Sequence, residues 1–263
     1  MSEYVAKTPS EWLIFLNQCA DIAGPIALHY FNTPLTITQK PDHSVVTQGD
    51  LDIEKEVRAY IEKEVPGIPV LGEEFGGCDH DSPLKLIIDP IDATSNFVRR
   101  IPLFATLLAI EVEQDIVAAV VYNPATNERW TAAKGEGAML NGSKIRVSNI
   151  DQITHSQAFH GGLFGNEARG TLDQLLTVLQ MTQRQRGIGD FLMHMYIAQG
   201  LGEFAIDFGL KPWDLAPLGL IVEEAGGKVT AVDGSPFSHY EGSILTSNGQ
   251  FHDQLVALYA TKV

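Results

Sequence analysis

Apolar residues recur at helical spacing between Ser10 and Tyr30, where Trp12, Leu13, Phe15, Leu16, Ala20, Ile22, Ala23, Ile26, Ala27 and Tyr30 make one stripe. An amphipathic helix is expected there, with a kink at Pro25. Leu35–Gln39 and Ser44–Thr47 alternate like strands on either side of Pro41-Asp42-His43, a hairpin pattern that Gln48, Gly49 and Asp50 close. Asp50 then opens a helix through Leu51, Ile53, Val57, Tyr60 and Ile61, which stops at Pro66-Gly67. Val70-Leu71 is a short strand. Leu84 to Ile88 is an apolar strand that Asp89 and Pro90 should end, because proline fixes its own φ and pushes the preceding residue towards an extended conformation. Asp92, Thr94 and Ser95 then supply oxygens that favour a new helix start.

Further along, Leu103–Val112 and Ile116–Tyr122 read as buried antiparallel strands about Glu113-Gln114-Asp115. Arg129–Ala133, Ala138–Leu140 and, after the Asn141-Gly142 turn, Ile145–Val147 extend this meander. From Gln157 the texture changes. Helix-like segments at Glu167–Leu179, Phe191–Ala198 and Leu215–Ala225 alternate with strands ending near Asp190, at Phe204–Ile206, at Lys228–Ala231 and at Ser243–Thr246, before a last helix over Gln250–Tyr259. The pattern predicts an α+β half over residues 1–149 and an α/β half over 150–263.

A chain of 263 residues with 44% apolar content can bury a large core. Its net charge of −15 opposes binding to nucleic acid or to anionic membranes, so a phosphorylated partner has to be small, with its charge offset by metal. Cys19 and Cys78 are isolated, which excludes a zinc motif or a disulfide framework and fits a reducing cytoplasm. The first residues lack a basic region followed by an apolar core, and no run reaches the roughly 18 apolar residues of a membrane span. A cytoplasmic, unanchored protein is expected.

Four acids stand at element ends. Glu73 lies in the Gly72–Gly77 segment after a short strand, Asp89 and Asp92 follow the apolar run, and Asp214 precedes an apolar helix. Singly, each has a plain reading as a solvated loop acid or a helix cap. Together they occupy positions that converge at sheet edges, and crowded carboxylates are best stabilised by divalent cations. An oxygen-only donor set favours magnesium or manganese over zinc.

Gly72-Glu73-Glu74, Asp89-Pro90-Ile91-Asp92-Ala93-Thr94 and Trp213-Asp214-Leu215-Ala216 resemble the ordered motifs of the inositol monophosphatase superfamily of magnesium-dependent, lithium-sensitive phosphomonoesterases. The resemblance implies a layered α-β-α-β-α sandwich, usually a homodimer, with two or three Mg2+ ions, Mn2+ as a substitute and Li+ as an inhibitor. It implies metal ligands at Glu73, Asp89, the carbonyl of Ile91, Asp92 and Asp214, with Asp50 near an optional third ion. By the same resemblance Glu73 and Thr94 orient a metal-bound water for in-line attack, the amides of Ala93 and Thr94 hold phosphate, and a cation near Asp92 and Asp214 offsets charge on the leaving alkoxide. One residue departs from the pattern: Ala93 stands where the family usually has glycine, and its methyl group crowds the phosphate.

Asn96-Phe97-Val98-Arg99 and Arg186-Gly187-Ile188-Gly189-Asp190-Phe191 look like the histidinol-phosphate phosphatase branch. The chemistry agrees, because an amino group and an imidazole give an acid at Asp190 a cation to bind, whereas inositol offers hydroxyls. Asp207 matches a substrate-contacting acid that is often glutamate, and Gly189 adjoins it in the implied substrate site. The expected function is hydrolysis of L-histidinol phosphate. The alternatives are inositol-1-phosphatase, a broad sugar-phosphate phosphatase, or a catalytically silent metal-binding scaffold, against which the intact set of acids argues. Asp190 has a competing reading as a helix N-cap.

Overall fold

Thr8 caps the first helix reciprocally with Glu11: each side chain accepts the other's backbone N–H. The helix, α1 (Pro9–Phe31), continues as one element through Pro25 and buries Trp12, Phe15, Leu16, Cys19, Ala20, Ala23 and Ala27. The computed structural model describes residues 7–40, 45–78, 81–163 and 172–260. Two units emerge from the chain's contacts, Met1–Glu136 and Gly137–Val263.

In the first unit β1 (Ile37–Gln39) and β2 (Val45–Thr47) pair antiparallel, as the alternation predicts. Their expected turn at Pro41-Asp42-His43 lies outside the described residues. The next helix, α2 (Gln48–Glu64), begins before Asp50, because Thr47 is the N-cap and Asp50 reaches back to the Thr47 N–H at 2.8 Å. Strands β3 (Val70–Gly72), β4 (Leu84–Asp92), β5 (Ala105–Val112), β6 (Asp115–Asn123) and β7 (Glu128–Ala133) lie side by side in that order. Only β3 and β4 run parallel; the other neighbours are antiparallel. Leu86, Ile88, Leu108, Ile110 and Val120 from this sheet join Trp12, Leu16, Ile53 and Val57 from the two helices in one core.

Strand β4 does not end at Asp89. It continues to Asp92, buried at every position, and its ladder to β5 shifts register between Asp89 and Asp92. Such a bulge accommodates Pro90, which has no N–H to give, while the Pro90 carbonyl accepts from the buried Thr106 hydroxyl at 2.8 Å. The helix that follows, α3 (Thr94–Val98), starts without a side-chain cap. Its N-cap is Ala93, in the left-handed region at φ 63 and ψ 43. The turn oxygens of Asp92, Thr94 and Ser95 therefore do not cap it. Lys85 and Glu111, directly opposed on β4 and β5, form an ion pair at 3.0 Å with both side chains fully buried.

The second unit opens with the hairpin β8 (Gly137–Leu140) and β9 (Ser143–Lys144), turned by Asn141 and Gly142 at φ 49 and 78. Ile145–Val147 adds no strand. The hairpin groups with the second unit, where the Gly137 N–H donates to Glu224 at 2.7 Å and the Val147 N–H to Ala225 at 3.1 Å. There follow β10 (Gln157–His160), α4 (Leu172–Gln180), β11 (Arg184–Gly187), α5 (Asp190–Ala198), β12 (Phe204–Phe208), α6 (Pro212–Glu224), β13 (Lys228–Thr230), β14 (Ser243–Ser247) and α7 (His252–Ala260). The start of the helix expected from Glu167 lies outside the described residues. Strand order is β11-β10-β12-β14-β13, with the first three parallel and β14 antiparallel to both neighbours. Helices alternate with these strands as the sequence predicts. Among the described residues no helix is long and apolar enough to cross a membrane.

Two positions generate tests of this fold. Alanine in the left-handed region carries a steric cost that glycine lacks, so Ala93→Gly should stabilise the protein by up to about 1 kcal/mol. A rise in melting temperature supports this, and a fall shows that the Ala93 backbone is relaxed where it stands. His194 on α5 is fully buried, with Nδ1 2.9 Å from the Thr246 hydroxyl, and burial lowers its pKa to about 3. The imidazole is thus neutral in the folded state but protonates near pH 6.5 when unfolded, so its contribution is complete above pH 6.5 and is lost as the pH falls towards 3. Between pH 7 and pH 5 this loss amounts to about 2 kcal/mol. His194→Gln should remove that part of the acid sensitivity in urea unfolding; an unchanged pH dependence would exclude the histidine as its source.

Candidate active site

Parallel pairing aligns Gly72 with Ile88, which carries Glu73 alongside Asp89 just beyond the paired residues. The Glu73 N–H donates to the Ile88 carbonyl at 3.3 Å, tying the loop to the strand. At the end of β4, Asp89 is 2% exposed and Asp92 9%, and their carboxylates approach within 4.8 Å. Asp89 accepts the Ile91 N–H at 2.9 Å, which sets its rotamer, and the Thr94 hydroxyl donates to the Ile91 carbonyl at 3.0 Å. A carbonyl has two lone pairs, so Ile91 keeps one for another partner. With its proton committed, the Thr94 oxygen is an acceptor.

Asp50 packs into the same region. Both the N–H and the hydroxyl of Thr47 bind one of its oxygens, at 2.8 and 2.6 Å, while Oδ1 is buried with no hydrogen-bond partner. Burial, with added repulsion from Glu74 and Glu73, pushes its pKa up to about 7.

The Glu73 loop is held by residues that the sequence reading passed over. Glu54 on α2, fully buried, accepts the Glu74 N–H at 2.9 Å and pairs with Arg58 one turn on, and Arg58 also donates to the Gly76 carbonyl at 2.6 Å. Gly72 has to be glycine, since a Cβ there would lie 2.0 Å from a Glu54 oxygen. Lys40, next after β1, puts its ammonium 2.9 Å from Glu73 and 2.8 Å from Glu74. Burial alone would lower its pKa, but the hydrogen bonds and charges of Glu74 and Glu73 outweigh that and raise it. The spacing Asp50-Glu54-Arg58 on one helix face was a readable signal for Glu54. Nothing in the sequence marked Lys40.

In the second unit Gly189, Asp190 and Asp207 line a cavity of about 530 Å3 together with His160. Asp190 does not cap α5: Gly189 is the N-cap, no side-chain cap bond forms, and Asp190 itself is held at φ 52. Its carboxylate meets no donor among the described residues, and burial raises its pKa to about 6. Asp207, next to last in β12, is 5% exposed, with the Phe208 N–H on one oxygen at 2.9 Å. Burial, and the charges of Asp190 and Asp214, raise it to about 7. Asp214 accepts the Lys211 N–H at 2.7 Å, the capping role expected of it at the start of α6. An unpaired carboxylate on strained backbone is costly, and such costs persist where a ligand compensates them. His160 closes an apolar strand before two glycines, a position the sequence could have flagged.

The donors of the first unit suit a hard divalent cation. They are all oxygens, two carboxylates are close enough to share an ion, and the buried Asp50 Oδ1 lacks any partner.

The sequence pattern of the inositol monophosphatase family matches residues 8–263. The histidinol-phosphatase of Mycobacterium tuberculosis is 36% identical over 227 residues, 84% of this chain and 87% of that protein. The inositol-1-monophosphatase of Mesorhizobium japonicum is 33% identical over 225 residues, covering 81% and 82%. Among solved structures, the extragenic suppressor protein suhB of Bartonella henselae superposes with a TM-score of 0.90 at 29% identity over 96% of this chain and 100% of its own. This chain therefore belongs to the inositol monophosphatase family and is a phosphoric monoester hydrolase.

Proposed function

We propose that the protein hydrolyses L-histidinol phosphate to L-histidinol and phosphate in a divalent-cation-dependent reaction. The observation that carries the substrate is the pair Asp190 and Asp207: two largely buried carboxylates, one of them without any donor among the described residues, in one cavity. An ammonium group offsets the charge of such a pair, and a polyol does not. The name of the Mycobacterium tuberculosis relative points the same way. The second reading is inositol-1-phosphate hydrolysis, favoured by the name of the Mesorhizobium relative.

On this reading Glu73, Asp89, the Ile91 carbonyl, Asp92 and Asp214 would hold two Mg2+ ions, with Asp50 beside an optional third, Mn2+ as a substitute and Li+ as an inhibitor. Such ions, when bound, offset phosphate charge and acidify a coordinated water. The chain's own groups do the rest. Glu73 takes one proton of the attacking water, and the Thr94 oxygen, whose own proton is engaged by Ile91, accepts a hydrogen bond from the remaining O–H and fixes the water's orientation. The amides of Ala93 and Thr94 bind phosphate oxygens, and Gly189, Asp190 and Asp207 place the organic part. Lys40 has to leave Glu73 before that carboxylate can serve. The family resemblance supports a homodimer, and the free thiols of Cys19 and Cys78 suit a cytoplasmic enzyme.

Phosphate release from L-histidinol phosphate, inositol 1-phosphate and glycerol 2-phosphate decides the substrate. With Mg2+ the first should have the highest kcat/KM, and chelation should abolish turnover; a preference for inositol phosphate would overturn the assignment. Asp89→Asn should lower turnover by more than about a hundredfold. Its metal-free melting temperature should stay level or rise, because one of two crowded charges is gone. Retained activity would remove Asp89 from the ligand set.

A further inference from the structure

His160 is the last residue of β10 and lines the same cavity as Asp190 and Asp207. Its Nδ1 lies 3.0 Å from the Gly161 carbonyl oxygen. A carbonyl only accepts, so this nitrogen carries the ring proton. In the neutral ring Nε2 is then a bare acceptor, and no described residue donates to it. Gly161 keeps the arrangement open, since a Cβ there would lie 2.0 Å from an Asp207 oxygen. Among the described residues lining the cavity there is no lysine or arginine. Its walls offer two carboxylates and the His160 Nε2, and its apolar part comes from Ile188, Phe208 and Leu210.

A ligand group made of N–H donors matches this wall better than one made of hydroxyls. Each hydroxyl brings one proton and two lone pairs, and in an acceptor-lined cavity those lone pairs go unmet. An ammonium or an azole N–H brings donors without that cost. We propose that His160 is a specificity-determining residue, whose Nε2 accepts an N–H from the nitrogenous part of a cationic phosphate ester while Asp190 and Asp207 take its ammonium charge. This inference rests on the histidinol-phosphate reading for the identity of the ester and on the cavity alone for the role of His160.

The test pairs calorimetric binding of L-histidinol, which needs no turnover, with steady-state kinetics on L-histidinol phosphate and inositol 1-phosphate, for the wild type, His160→Leu and His160→Gln. Loss of one hydrogen bond to a largely desolvated group corresponds to about tenfold in affinity. His160→Leu should therefore weaken L-histidinol binding and raise KM for its phosphate about tenfold, with kcat changed less than about threefold and inositol 1-phosphate little affected. His160→Gln should recover part of the loss, because its amide oxygen is again an acceptor. If the wild type cleaves L-histidinol phosphate and His160→Leu changes neither binding nor KM, the role of His160 is wrong and the substrate stands. If the wild type binds L-histidinol, the binding falls in His160→Leu, and the phosphate is not cleaved, the substrate is wrong and His160 stands. An equal loss on both esters, or no L-histidinol binding by the wild type, overturns the specificity role.

Discussion

Asp89 and Asp92 leave the end of β4 with carboxylates within 4.8 Å of each other, both nearly shut off from solvent. At an effective dielectric constant of about 20, two full charges at that separation repel by about 3 kcal/mol. A native state of ordinary stability tolerates that only with compensation. The neighbourhood is built around the same problem. Burial, with Glu74 and Glu73 beside it, raises the pKa of Asp50 to about 7, and the charge of Glu73 is met by the ammonium of Lys40 at 2.9 Å. The loop bearing Glu73 is fixed by Glu54, whose own charge is met by Arg58. Removing any one cationic partner leaves a charge exposed to its neighbours, so these contacts act as a set.

Backbone strain accompanies the chemistry in both units. Ala93 stands at φ 63 and Asp190 at φ 52, each where a strand or loop gives way to a helix, and neither is glycine. At Ala93 the left-handed turn redirects the chain immediately after Asp92, so that the Ile91 carbonyl and the Thr94 hydroxyl meet at 3.0 Å. At Asp190 it withdraws the carboxylate from capping and leaves it in the cavity. A relaxed cap in either place would satisfy the helix and forfeit the site.

Helical periodicity located α1 and α2, and apolar runs punctuated by turn residues located β5 to β8, because burial leaves a trace in composition. The three acid-bearing motifs were legible for a different reason: each joins a structure breaker to a carboxylate. What the sequence misjudged were interactions between distant residues. Pro90 looked like a strand end, but a register shift against β5 and the Thr106 hydroxyl let β4 run on to Asp92. Asp50 looked like a helix start and is the third helical residue, because Thr47 caps first. Asp190 looked like a cap and is not one. Lys40 was invisible, since a lone lysine between two strands carries no pattern and its partners lie 33 and 34 residues away.

The net charge of −15 makes the two halves of the ligand problem opposite in kind. Acidic groups bind a phosphate dianion only through cations, so on the proposed reading the first unit's carboxylates and its backbone amides would address the same end of the substrate. The second unit's cavity holds acids with no lysine or arginine among its described lining residues, which suits a positively charged group. On the proposed reading, a phosphate ester bearing an ammonium or an azole carries a group suited to each condition. A polyol phosphate satisfies the first and leaves Asp190 and Asp207 to remain protonated near neutral pH or to bind water. On the proposed reading, selectivity would follow less from shape than from the cost of keeping two buried carboxylates without a cation, a cost that falls on every ligand lacking a cationic end.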